Sequence, residues 1–287
     1  MQAQRKANEA PMSVPMIIEV LSECISRVCQ YAKHALLAYN TKGEGIHSPY
    51  LFYLIRMVTC DENAYYVWRD IEQQRMRLLR DEHPIHVTDY GTGSRRDAAR
   101  RVCDLAKHSL EQPRMAQLFF RWLVFLSREA KHPLQIVELG TSLGITTAYL
   151  ASAHSANRVT TFEGCPATAK VAADVWRALQ LHNISTVEGN INSTLATHLP
   201  EQVDFAFVDA NHTEEATLRY VNMLLSCVQA KSIIVIDDIH YSEEMERAWK
   251  ALQALPQVTT TMDFFYAGAL FFDPHYLKKH YRLRISC

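Results

Sequence analysis

The chain has 287 residues, 48% of them hydrophobic and 21% charged, with a net charge of −1. That length fills one large or two modest domains, and the even balance of charge gives no general attraction for nucleic acid or an anionic membrane surface. No apolar stretch reaches the roughly 18 residues that a membrane span requires.

Met1 to Pro15 is polar and lacks a signal-peptide core, so it reads as a frayed leader. Met16 to Tyr39 carries Ile17, Val20, Leu21, Ile25 and Val28 at helical spacing. A break follows at Thr41–Gly45. Ser48 and Pro49 then read as the cap and first residue of a second helix. The segment Gly45–Tyr50, aromatic and polar, either covers a cleft or caps that helix and packs on the core. Charged helix formers run from Glu62 to Arg80, and Ile85–Val87 reads as a short strand. Asp89–Ser94 imitates a glycine-rich ligand loop without a strand-helix-strand unit around it, so it reads as a decoy. Two helices are expected over 96–109 and 113–130. The run Arg95, Arg96, Arg100 and Arg101 reads as a solvated face of the first, the alternative being a site for an acidic substrate or nucleic acid. Residues 16–112 therefore read as a mainly helical cap or substrate region, and 113–287 as the catalytic domain.

From Pro133 the pattern alternates. Strands are expected at 135–139, 158–162, 184–188, 203–208 and 232–237. Helices are expected at about 145–154, 166–181, 213–228 and 242–254, the third with a stripe of Leu218, Val221, Leu225 and Val228. Residues 258–272 read as an antiparallel hairpin. The fold class is α/β, a doubly wound, mostly parallel seven-stranded sheet with an N-terminal helical cap.

Four of the hydrophobic runs end in an acid: Glu138, Glu163, Asp209 and the pair Asp237–Asp238. About one residue in nine is acidic (31 of 287), so this repetition at one strand position carries information. The carboxyl ends of parallel strands form the rim where ligands bind. A rim of carboxylates with glycines nearby suits a polyhydroxylated cation, and S-adenosylmethionine fits that description better than a dinucleotide. In Glu138-Leu-Gly140-Thr-Ser-Leu-Gly144, the first glycine permits a tight turn and the second lets the helix pack closely. The middle position of a nicotinamide loop is Ser142 here, and no lysine marks a phosphate loop. Glu163 stands 19 residues after Gly144, where a carboxylate can accept two hydrogen bonds from a ribose diol.

The block 135–240 resembles class I S-adenosylmethionine-dependent methyltransferases, and among them the catechol and caffeoyl-CoA O-methyltransferases. The motif Ile136–Thr146 carries the likeness. The resemblance implies a cofactor site of Glu138, Gly140, Thr141, Ser142, Gly144, Thr146, Glu163, Gly164, Gly189, Asn190, Ile191 and Asp209. Gly140 and Ser142 would line the methionine part, Thr146 would meet its carboxylate, and Gly189–Asn192 would turn around the adenine. It also implies a divalent ion such as Mg²⁺ on Asp209, Asp237 and Asp238. In the alternative reading Asp209 touches the cofactor and the Asp pair caps the next turn.

His212 stands where the catechol type has a lysine base. It reads either as a base or as a first-turn helix residue behind an Asn211 cap. His240 reads as a ligand, a base or a packing residue. With Asp209, these two histidines form the expected catalytic set. The implied activity is methylation of a small molecule at oxygen. Nitrogen, protein or RNA methylation and a non-catalytic nucleoside-binding module are the alternatives. No membrane or nucleic-acid partner is expected, and a homodimer is admitted. Seven cysteines, an odd number with none in a C-x-x-C pair, suit reduced thiols in the cytoplasm.

Overall fold

The computed structural model describes residues 28–88 and 98–285. The leader 1–15, the start of the 16–39 helix, the decoy loop, Arg95, Arg96, Cys24 and Cys287 lie outside the described residues.

The described part of the cap opens with helical residues 28–37 (α1). Ser48 Oγ then accepts the Leu51 N–H at 3.3 Å and Pro49 takes the first position of α2 (Pro49–Tyr53), which runs straight into a π-helical segment, Leu54–Thr59. Ile46 and Tyr50 pack against the core, so the Gly45–Tyr50 loop is a cap and a wedge. After α3 (Tyr66–Leu78) come β1 (Pro84–Val87), β2 (Ala98–Arg101), α4 (Val102–Ser109) and α5 (Pro113–Glu129). Residues 98–101 are thus a strand, where helix was expected. They pair antiparallel with β1, from Pro84 against Arg101 to Val87 against Ala98, and this pairing overrides the strong helix preference of Ala-Ala-Arg-Arg.

The sheet contains β3 (Gln135–Leu139), β4 (Arg158–Glu163), β5 (Ile184–Glu188), β6 (Val203–Val208), β7 (Val228–Asp237), β8 (Thr260–Asp263), β9 (Ala267–Phe271) and β10 (Lys279–Arg282). Their order is β10-β8-β9-β7-β6-β3-β4-β5, and only the pairings of β9 with β7 and β8 are antiparallel. The hairpin forms where the sequence places it. The eighth strand, β10, corrects the expected seven. Its Lys-His-Tyr-Arg has one buried residue, Tyr281, and carries no apolar pattern to read.

Between the strands lie α6 (Ile145–Ser152), α7 (Pro166–Ala178), α8 (Ile191–His198), α9 (Glu214–Leu224) and α10 (Glu243–Ala254). Helix α8 was not expected, because Leu195 is its single buried residue. In α9 the buried stripe is Ala216, Thr217, Tyr220, Val221 and Leu224. Leu218 and Leu225 lie to its side, and Val228 already belongs to β7.

The central strands are buried on both faces, so alternate residues feed opposite cores. Ile136, Phe205, Phe207, Ile233 and Val235 meet α5 and the cap residues Leu51, Leu54, Ile55 and Val58. Val137, Leu139, Ala206, Val208, Ile234 and Ile236 meet α9 and α10. Helix α5 joins cap to sheet. Phe119 meets Phe207 at a tilt, with ring centroids 4.9 Å apart, and Trp122 is fully buried and donates to Thr59 Oγ1 at 3.2 Å. The buried Arg121 donates through Nε to Val58 O at 3.0 Å, satisfying a carbonyl at the end of the π-helical segment. No helix among the described residues is long and apolar enough to cross a membrane.

Candidate active site

The strand ends of β3, β4, β6 and β7 open on one side of the sheet into a cleft of about 490 Å³, within the range of small-molecule sites. The turn after β3 is built from left-handed residues: Gly140 (φ 98°), Ser142 (φ 49°) and Gly144 (φ 77°). At Gly140 a side chain is impossible without movement, because a Cβ would stand 2.0 Å from the carbonyl oxygen of Asp209. That close approach brings the ends of β3 and β6 together. Gly144 caps α6 and lies against α7, whose Trp176 donates Nε1–H to the Gly144 carbonyl at 2.8 Å.

Glu163 ends β4. Its Oε2 accepts the Ser142 N–H and its Oε1 the Cys165 N–H, each at 2.8 Å. Burial pushes its carboxyl up, and the backbone N–H groups oppose that shift. A carboxylate has further lone pairs beyond these two contacts. Asn190, the cap of α8, accepts the Asn192 N–H at 2.9 Å and lines the cleft beside Ile191.

Across the cleft, Asp209 follows β6 and faces His212, with Nε2 to Oδ1 3.2 Å. Asn211 (φ 68°) and His212 (φ 31°) are both left-handed. The cap of α9 is Thr213, whose side chain accepts the Ala216 N–H, so His212 precedes the helix and lines the cleft. Burial alone would lower the His212 pKa, but the hydrogen bond and charge of Asp209 outweigh it and hold the ring above its usual range.

Of the expected cofactor residues, Gly140, Ser142, Glu163, Gly164, Asn190, Ile191 and Asp209 line the cleft, whereas Glu138, Thr141, Gly144, Thr146 and Gly189 do not. Glu138 is fully buried beneath the turn. Its Oε2 accepts from Thr147 and Thr161, its Oε1 has no partner, and burial pushes its pKa up to about 8. His240 turns away from the cleft: its Nε2 lies 3.1 Å from Asp263 Oδ2, so it does not join His212 as an expected catalytic group.

Asp237 and Asp238 line the cleft, but they do not form a cation site with Asp209. Among the described residues no group of three Asp, Glu, His or Cys side chains is arranged to hold a metal ion. Asp237 hydrogen-bonds Glu111 instead, and Asp209 is engaged by His212. Two buried carboxyls in contact cannot both ionise cheaply. Burial and the charge of Asp209 push Glu111 up to about 7, and burial and the charge of Glu111 hold Asp237 well above the carboxylate range.

Glu111 escaped the reading of the sequence, as did the wall it belongs to. Val87, Thr88, Leu105, His108, Ser109, Leu110 and Gln112 come from the cap and face the strand ends. Ser109 Oγ lies 2.8 Å from Ser142 Oγ. Glu111 had one available signal, its place just before the Pro113 helix start. Among the described residues lining the cleft none is Lys or Arg, while five are Asp or Glu.

Residues 137–239 match the family model described as a methyltransferase domain. A putative O-methyltransferase from Klebsiella pneumoniae superposes with a TM-score of 0.53 at 16% identity, over 77% of this chain and 94% of that one. An O-methyltransferase from Bacillus cereus, in complex with SAH, gives 0.52 at 16% identity over 73% and 92%. Rv0187 from MTB, cofactor-bound, gives 0.51 at 18% over 58% and 83%. At these identities the likeness is one of fold. No curated protein matches the chain. The part built on β3 to β7 thus has the fold of these methyltransferases, and residues 137–239 within it match a methyltransferase domain.

Proposed function

We propose that the protein moves the methyl group of S-adenosylmethionine to an oxygen of a small molecule in the cytoplasm. One observation carries this reading: Glu163, Asp209 and the Gly140–Ser142 turn share a single cleft with His212. The solved O-methyltransferases of the same fold and the free thiols of Cys29, Cys103, Cys165 and Cys227 support it.

S-adenosylmethionine supplies an electrophilic methyl carbon on sulfur. Glu163 accepts hydrogen bonds from the ribose hydroxyls, Asn190 and Ile191 bound the adenine, and Gly140 and Ser142 border the methionine part. An acceptor hydroxyl must lose its proton as the new C–O bond forms. His212 directs Nε2 to Asp209, so Nδ1 takes that proton. Asp209 then balances the imidazolium charge. The cap wall from Val87 to Gln112 faces the same space and supports a substrate-selecting role for residues 16–112.

The test is calorimetric titration with S-adenosylmethionine and SAH, followed by transfer of labelled methyl to a panel of catechols, phenols and amines. Micromolar cofactor binding and label on oxygen are expected. Absence of cofactor binding removes the reading, and label on nitrogen replaces its acceptor.

A further inference from the structure

Behind one end of the cleft lies a buried cluster that methyl transfer does not use. Asp263, 5% exposed at the end of β8, meets histidines from two distant parts of the chain. His34 of α1 sets Nε2 2.9 Å from Asp263 Oδ1 and 3.2 Å from the Asp263 carbonyl oxygen. His240 sets Nε2 3.1 Å from Oδ2. Asp263 Oδ1 also accepts the N–H of Phe265 at 2.9 Å.

Phe265 has φ 74°, a left-handed conformation that is an outlier for a bulky residue and persists only where the surroundings over-determine it. The surroundings do so here. The ring of His240 stacks on Phe265 at 5.4 Å, His34 lies at 5.6 Å, and Tyr31 and Tyr266 meet it edge-on at 5.2 Å each. The next residue, Tyr266, lines the cleft together with Asp209, His212 and Asp238.

The exposure of α1 is the reverse of what a helix docked by its apolar face would have. Among residues 28–37 His34 alone is buried, while Val28, Leu36 and Leu37 are exposed. A helix attached merely for hydrophobic burial would turn its leucines inward. This one inserts a hydrogen-bonding ring into the support of a strained turn.

We propose that His34 and Asp263, with His240, are positioning residues through which α1 sets the Phe265–Tyr266 turn and so the shape of the acceptor end of the cleft. The joint depends on the methyl-transfer reading only for what that end of the cleft receives. It makes Tyr266 a wall whose placement is dictated from the N-terminal region.

The experiment uses the full chain with 3-fluorotyrosine at position 266, read by fluorine NMR, and hydrogen exchange at 28–37 and 264–267. His34→Leu fills the space but cannot donate, whereas His34→Gln keeps a donor. Asp263→Asn removes the charge. His34→Leu and Asp263→Asn are expected to shift or broaden the Tyr266 signal and speed exchange at 264–267 by roughly tenfold, the size of one lost hydrogen bond to a charged group. His34→Gln is expected to stay near wild type. A Tyr266 signal and turn exchange unmoved by His34→Leu would overturn the proposal, as would equal damage from Leu and Gln. Should Asp263→Asn fail to fold, the two His34 variants decide alone. SAH affinity of the wild type, measured separately, tests the methyl-transfer reading without touching the joint.

Discussion

His212 Nε2 stands 3.2 Å from Asp209 Oδ1, across a turn in which the intervening backbone is forced into the left-handed region. The contact sets a carboxylate against the ring. The imidazolium is favoured, so the ring loses its proton only above the usual 6.5. A base must be neutral to act, so turnover should rise with pH through that raised value. Asp209→Asn should move the rise to lower pH and reduce the plateau, because the charge that balances the imidazolium is gone. His212→Ala should cut turnover by about 10²–10⁴-fold with cofactor affinity nearly intact. NMR titration of the His212 ring and calorimetry with SAH check both halves, and an unshifted ring in Asp209→Asn would refute the coupling.

Glu163 ties the Ser142 and Cys165 amides into one pocket rim. Glu163→Ala should weaken SAH binding by about 2–3 kcal/mol, the scale of hydrogen bonds to a charged group. Calorimetry measures this directly. Affinity within a factor of two of wild type would take the ribose away from Glu163.

Gly140→Ala is expected to be the most disruptive single-methyl change in the domain. The added carbon meets the Asp209 carbonyl, and the φ of 98° is itself unfavourable for alanine. The cost should be at least about 2 kcal/mol, read as a fall in Tm, together with loss of SAH binding as the β6 end is displaced. Gly45→Ala is the control. A side chain there would find its nearest neighbour at 3.6 Å, so it suffers the backbone strain without the collision.

Glu138 gives a pH-dependent signature. Its pKa is raised in the fold to about 8 from an ordinary 4.5, so the native state holds a proton that the unfolded chain releases in between. Stability from this residue is therefore greatest at low pH and declines as pH rises from 4.5 to about 8. Glu138→Gln removes that dependence. Urea unfolding at pH 5 and pH 8 should find the variant gaining on wild type at the higher pH, and a constant difference would contradict the buried, protonated state.

The acids at strand ends were legible because their signal is local: an apolar run, then a carboxylate, then a turn. That pattern located Glu163, Asp209 and Asp237 from sequence. It could not separate Glu138, which follows the same rule but points beneath the turn at Thr147 and Thr161. Glu111 was invisible for the opposite reason. Its chemistry comes from meeting Asp237 across the molecule, and nothing near position 111 encodes that meeting. His240 likewise carries a motif-like position after two aspartates, yet Asp263 claims its ring. Strand β10 and helix α8 were missed because a single buried residue in each leaves no periodicity to detect.

That sparse eighth strand has a consequence for how the molecule behaves in a crowded solution. An outermost strand offers unpaired amides to any extended segment that drifts past. Here that edge is met from within the chain: Asn40 Oδ1 accepts the Arg282 N–H at 3.4 Å, and Thr41 Oγ1 accepts the Arg284 N–H at 2.9 Å. A passing strand finds those two amides already taken. The cap loop thus shields the outer rim of the sheet, a built-in deterrent to fibril-like stacking.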